Sequence, residues 1–132
     1  YFYPRDNTSG CTKEALDFSE LKEDFARAGA QVVGVSPDSP ASHRKFIEKH
    51  GLTIPLLSDP QREVLKEYGA WGVKKNYGKE TEGVIRSTFI IAPDGEVKAV
   101  WRKVRVRSTK QGCEVLHAAT VLDRLQTLAA EG

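Results

Sequence analysis

The run Pro4-Arg5-Asp6-Asn7-Thr8-Ser9-Gly10-Cys11 places a cysteine where a thiol most readily becomes a thiolate. The apolar Tyr1-Phe2-Tyr3 reads as the end of a strand, Pro4 stops it, and Asn7, Thr8, Ser9 and Gly10 are turn and cap residues that open a helix. Cys11 then falls in the first helical turn. A free cysteine titrates near 8.5, and only its thiolate is the nucleophile. Moving such a group down by about two units takes roughly 2.7 kcal/mol of preferential stabilisation of the anion. A helix N-terminus supplies about 0.3–1 kcal/mol, or ~2 kcal/mol in a partly buried site. Position alone falls short, so a cation from elsewhere in the chain must fold onto the sulfur.

The elements that have to hold this site can be read from the apolar spacing. Leu16, Phe18, Leu21, Phe25 and Ala28 recur at helical steps, with charged residues opposite and Gly29 as the stop. Gln31 to Ser36 is a β-branched apolar run of the kind found in a buried parallel strand. Ser36-Pro37-Asp38-Ser39-Pro40 is a turn and cap, and the helix it opens runs to Gly51. Residues 52–57 are extended, with Pro55 at an edge or bend, and Ser58-Asp59-Pro60 begins a further helix through Val64, Leu65 and Tyr68. Residues 72–83, rich in Gly, Lys and Glu, read as an exposed loop. Ile85–Ala92 and Glu96–Val106 are strands joined by the hairpin chemistry of Pro93-Asp94-Gly95. Helical spacing then runs from about Gln111 to Ala130.

The order β-α-β-α-β-α-β-β-α implies an α/β protein with a central mixed β-sheet flanked by helices, and a thioredoxin-like fold fits it. The 132 residues, 39% of them hydrophobic, suffice for one domain spanning 1–132. A chain that opens inside a strand and contains no Met is expected to continue upstream, where further residues complete that strand. No apolar stretch is long enough to span a bilayer and none resembles a signal peptide. Two cysteines far apart do not make a disulfide scaffold, and reduced thiols in a cytoplasmic setting fit better.

The net charge of +2 gives no general argument for a polyanionic partner. The local exception is 101–107, where Trp101, Lys103, Arg105 and Arg107 share one strand face. Lys and Arg guarding a sheet edge account for it better than a nucleic-acid surface does. Cys113 and His117 have the spacing of a metal-ligand pair, but no second pair completes a site. His43 and His50 read as polar-face residues of another helix. No glycine-rich phosphate loop and no Cys-x-x-Cys occurs.

At YFYPRDNTSGCTKEA the chain resembles the active-site segment of the peroxiredoxins, and of their peroxiredoxin Q or bacterioferritin-comigratory group in particular. The signature Pro-x3-Thr/Ser-x2-Cys is matched by Pro4, Thr8 and Cys11. The likeness continues through VVGVSPDSPASHRKFIEKHGLTIPLLSD, YGAWGV and IRSTFIIAPDGEV. The resemblance implies a thiol peroxidase that acts on hydrogen peroxide and organic hydroperoxides without metal or other cofactor. It implies thioredoxin or another thiol as reductant, and a monomer or weak homodimer.

The resemblance assigns Cys11 as peroxidatic nucleophile, Thr8 as a hydroxyl that hydrogen-bonds the bound peroxide and Pro4 as the residue shielding the thiolate. It also makes Arg86 of IRSTF the missing cation. Glu14 matches an acid that orients the arginine, although it also reads as an ordinary acid near a helix N-terminus. The chain departs from the group at Leu16, where many members carry a resolving cysteine, and residues 39–50 contain none. Cys113, after Gly112 at the start of the last predicted helix, is the one internal candidate for that role. The other reading of its chemistry is a structural cysteine, with Cys11 recycled by an external thiol. An alternative function on the same fold is a redox sensor or chaperone-like protein with little turnover.

Overall fold

A single short segment, Tyr1–Tyr3, joins the two halves of the central sheet. The computed structural model describes residues 1–76 and 78–131. In it, Phe2 N–H donates to the Ser87 carbonyl (2.8 Å), while Tyr3 N–H donates to the Val35 carbonyl (3.0 Å). Phe2 thus bridges parallel to β1 (Gly34–Ser36) on one side and antiparallel to β5 (Ser87–Ile91) on the other. β2 (Leu56–Ser58) pairs parallel with β1, and β6 (Val97–Arg102) pairs antiparallel with β5. The resulting order, β2, β1, Tyr1–Tyr3, β5, β6, is the mixed sheet that the element pattern predicts.

The helices start and stop where local chemistry dictates. α1 (Ser9–Glu20) follows Thr8, and α2 (Lys22–Arg27) continues it after a break at Leu21, so the one helix predicted here is two. α3 (Pro40–His50) has Ser39 as N-cap, accepting from Ser42 N–H at 3.2 Å, with Pro40 in its first turn. It ends at Gly51 in the left-handed region (φ 62°). α4 (Glu63–Glu67) starts later than Pro60, after Arg62 at φ 61°. Phe18, Phe25 and Phe46 bury under the sheet with Tyr1 and Tyr3, and Tyr1 stacks on Phe18 at 4.6 Å.

Three further segments differ from the sequence expectation. Residues 72–83 are a regular hairpin, β3 (Trp71–Asn76) with β4 (Lys79–Val84), rather than a loop. Polar side chains on both faces hide its period, and Val73 stays 60% exposed. The strand drawn through Val106 ends at Arg102, because Lys103 turns into the left-handed region (φ 52°). The basic stripe is therefore broken: Arg102 donates to the Tyr68 and Gly69 carbonyls, while Arg107 forks onto Asp17 at 2.7 and 3.2 Å. The last predicted helix is preceded by another hairpin, β7 (Arg107–Lys110) and β8 (Cys113–Leu116), and α5 (His117–Glu131) starts only at His117. Gln111 and Gly112 both have positive φ (53° and 80°), as a two-residue hairpin turn requires.

Candidate active site

Cys11 is the third residue of α1 and is only 1% exposed. Thr8 is the N-cap by backbone geometry, yet its hydroxyl does not cap the helix. It donates instead to the Arg5 carbonyl at 3.1 Å. The first intrahelical bond is Thr12 N–H to the Thr8 carbonyl (2.9 Å), which leaves the N–H groups of Ser9, Gly10 and Cys11 ahead of the ladder. Pro4 is half-buried at the start of this loop.

The missing cation arrives from the β4–β5 connection. Arg86 is held on both sides along the backbone: Ile85 N–H donates to the Ala70 carbonyl (2.7 Å), and Val104 N–H donates to the Arg86 carbonyl (3.0 Å). Its guanidinium divides its donors, Nη2 toward Cys11 Sγ at 3.3 Å and Nη1 to Glu14 Oε1 at 2.6 Å. Burial alone would lower the arginine's affinity for its proton. The negative charges at Glu14 and Cys11 outweigh that and hold it above its ordinary range. Glu14 is 1% exposed. Burial pushes its carboxyl up, while the Arg86 charge and hydrogen bond pull the other way. Among the described residues Oε2 of Glu14 has no partner, so Arg86 is what satisfies this carboxylate.

Of the residues singled out in the sequence, the structure brings Cys11, Glu14 and Arg86 into contact and sets Thr8 and Pro4 on the loop before them. Cys113 is not at a helix start. It stands exposed on β8, paired across the hairpin with Lys110, so the helix-terminus argument for its reactivity fails. Both thiols are free. His117 lies between Phe18 and Trp101 with Nε2 2.8 Å from the Thr88 hydroxyl, and burial holds its pKa down to about 4.

The sequence reading missed three contributors. Gly10 faces the guanidinium, since a Cβ there would stand 3.4 Å from Arg86 Nη2. Lys74 of β3 lies along Gly83, and burial lowers its pKa, with Arg86 also lowering it and Cys11 raising it. Hiding this hairpin in a loop hid that lysine. The third is His43, which is 3% exposed rather than on a polar face. Its Nδ1 is 2.8 Å from Asp6 Oδ2, and its Nε2 is 3.0 Å from the Leu57 carbonyl. Asp6, Asp38 and His43 cluster closely enough to suggest a cation site. Their facing atoms are already engaged in hydrogen bonds to Tyr3, Ser36, Ser42 and the Asp6 N–H.

A thiol in the first turn of a helix, beneath a fixed guanidinium and beside a mixed sheet, defines a thiol-redox protein of α/β class. Residues 1–100 match the AhpC/TSA family. Peroxiredoxin Bcp of Bacillus subtilis is 43% identical over 129 residues, covering 98% of this chain and 77% of its own length. A putative peroxiredoxin of Mycobacterium tuberculosis is 55% identical over 97 residues, and the match spans 74% of this chain but 62% of that relative. The bacterioferritin comigratory protein of Xanthomonas campestris, a solved structure concerned with its alkyl peroxide reduction activity, superposes with a TM-score of 0.86 at 43% identity. That match covers 98% of this chain and 77% of the other. The chain belongs to the AhpC/TSA family, in its peroxiredoxin Q (Bcp) group, and has the thioredoxin-like fold of those neighbours. Among the described residues no helix is long and apolar enough to cross a membrane.

Proposed function

We propose that the protein is a thiol peroxidase that reduces hydrogen peroxide and organic hydroperoxides. The observation that carries this reading is the 3.3 Å contact of Arg86 Nη2 with Cys11 Sγ, with the same guanidinium anchored on buried Glu14. A fixed guanidinium favours the thiolate and also stabilises charge developing on the peroxide. The Cys11 thiolate attacks one peroxide oxygen, the S–O bond forms as the O–O bond breaks, and the departing hydroxide or alkoxide takes a proton to leave as water or alcohol. The sulfur is oxidised to a sulfenic acid and the peroxide is reduced. The Thr8 hydroxyl, with lone pairs free while it donates to Arg5, holds the substrate beside the first-turn N–H groups. Pro4, half-buried at the start of the loop, shields the thiolate from bulk water.

Leu16 stands where a second thiol would be expected, and Cys113 sits exposed on a separate hairpin. The sulfenic acid is therefore reduced by an external thiol, thioredoxin or a smaller one, which forms a mixed disulfide with Cys11 and releases water. A second thiol equivalent then returns the thiolate. Peroxide consumption with a thiol reductant tests the whole reading. Cys11→Ser should abolish turnover while circular dichroism stays unchanged, and retained turnover sinks the proposal. A second reading draws on the 1% exposure of Cys11, which restricts access by reductants. A sensor of low turnover would oxidise rapidly at Cys11 and then fail to recycle with a thioredoxin system.

A further inference from the structure

α3 grips the loop in front of the reactive thiol through a buried polar network. Asp6, 7% exposed, lies in that loop and takes three donors on its carboxylate. Tyr3 OH donates to Oδ1 at 2.6 Å, while Ser42 Oγ and His43 Nδ1 lie 2.7 and 2.8 Å from Oδ2. The Asp6 N–H donates to Asp38 Oδ2 at 2.8 Å, and that oxygen also accepts from Ser36 Oγ at 2.7 Å. One residue on, Asn7 turns through φ 63°, and its Oδ1 lies 2.9 Å from Nε2 of His50 at the end of α3. Thr8, Ser9 and Gly10, which lead into Cys11 and leave their N–H groups ahead of the helical ladder, follow directly.

His43 is the centre of this network, and its protonation state can be read from its neighbours. The Leu57 carbonyl opposite Nε2 can only accept. A carboxylate already taking Tyr3 and Ser42 likewise accepts at Nδ1. Both ring nitrogens therefore carry hydrogen, which makes the ring an imidazolium.

We propose that His43 is a positioning residue for the reactive thiol: as an imidazolium joining Asp6 to the Leu57 carbonyl, it fastens the loop 4–8 to α3 and β2 and so keeps Thr8 and the first turn of α1, which carries Cys11, in place. The proposal rests on the peroxidase reading above. The groups facing His43 are Tyr3 from the sheet, Asp6 from the loop, Asp38 from the turn after β1, Ser42 on its own helix and the Leu57 carbonyl from β2. Burial works against the charge, but the Asp6 hydrogen bond and charge, the Leu57 carbonyl and Asp38 together hold the histidine above its ordinary value. When pH rises through that raised value the ring loses a proton, and one nitrogen then presents a lone pair to an oxygen lone pair. One of the two links opens. Peroxide reactivity then falls on the alkaline side, opposite in sign to thiolate formation, which grows with pH.

The test is the second-order rate constant for Cys11 oxidation by hydrogen peroxide, followed by competition from pH 5 to 10 for wild type and His43→Gln. Glutamine carries no charge and presents an NH2 group on one side but a carbonyl oxygen on the other, so it cannot donate to both acceptors as the imidazolium does. Loosening the loop should cost about tenfold at neutral pH and remove the alkaline limb. A folded H43Q protein with the wild-type rate and the wild-type alkaline limb overturns the proposal. If H43Q does not fold, wild type alone decides. The midpoint of its alkaline limb must coincide with the His43 imidazole titration seen by proton NMR, and a mismatch overturns the proposal. Wild-type protein inert to peroxide would instead remove the peroxidase reading beneath it.

Discussion

Replacing Arg86 with glutamine separates the chemical role of the guanidinium from its structural one. Its Nη2 contact with Cys11 Sγ at 3.3 Å is a hydrogen bond to a charged partner in the reactive form. Such bonds are worth about 1.5–3 kcal/mol net. Losing one from the transition state slows peroxide attack by roughly 10- to 150-fold. The same substitution strips Glu14 of its cation. Glu14 is 1% exposed and its Oε2 has no partner among the described residues, so the folded protein loses about 3–5 kcal/mol, the cost of leaving one half of a buried pair. Adding Glu14→Gln removes the orphaned charge. The double variant should therefore recover most of the stability while staying as slow as Arg86→Gln. Stopped-flow peroxide oxidation gives the rates and urea denaturation the stabilities. Two results refute the reasoning: an Arg86→Gln protein within about twofold of the wild-type rate, or a double variant that regains speed along with stability.

Three further outcomes follow from the same structure. His117 is buried neutral, with its pKa held down to about 4, so the unfolded chain binds its proton first. Folding stability should drop by up to about 3 kcal/mol as pH falls from 6.5 toward 4, and His117→Gln should flatten that slope in urea midpoints measured across the window. An unchanged slope in the variant contradicts this assignment. At Gly10 a Cβ would stand 3.4 Å from Arg86 Nη2, at the limit of ordinary contact. Gly10→Ala should stay near wild-type activity, while the branched side chain of Gly10→Val displaces the guanidinium and slows peroxide reduction by about tenfold or more. Equal rates for the two variants would show that the guanidinium does not need this space. Cys113→Ser should retain full turnover with an external thiol, and peptide mapping after one equivalent of peroxide should find oxidation at Cys11 without a Cys11–Cys113 linkage. Loss of turnover in that variant would return Cys113 to the cycle.

The sequence showed the need for a cation more readily than it showed which cation. The free-energy shortfall at a helix start follows from the run before Cys11, but only the family likeness of IRSTF pointed to Arg86, a residue far along the chain. The mixed sheet was legible because residues 32–35 and 89–92 are continuous apolar runs and their flanks carry strong turn chemistry. The β3–β4 hairpin was not, since Lys74, Lys75, Glu80 and Glu82 leave no apolar alternation, and Lys75 meets Glu80 only across the strands. At the C-terminal end, Val115 and Leu116 happen to continue the helical spacing of α5 backwards through a strand. The turn signal at Gln111-Gly112 was present but outweighed. Asp6 and His43 gave no local sign of burial, because the partners that satisfy them come from the sheet, the loop and α3 together.

The burial that strengthens the Arg86 contact also hides the sulfur, and the proposed cycle has to satisfy both demands. Hydrogen peroxide is small enough to reach a thiolate that is 1% exposed, whereas a thiol carried by another protein must approach the sulfur in line with the bond it breaks. Oxidation itself loosens the arrangement. A sulfenic acid does not carry the thiolate's full charge, so its bond to the guanidinium drops toward neutral strength, about half that of the charged bond. Arg86 does not follow the sulfur, because its other donor remains on Glu14 at 2.6 Å and its backbone is tied to Val104. The first turn of α1 is thereby held less tightly by its cation in the one state that must be reduced, and held in full again once the thiolate returns.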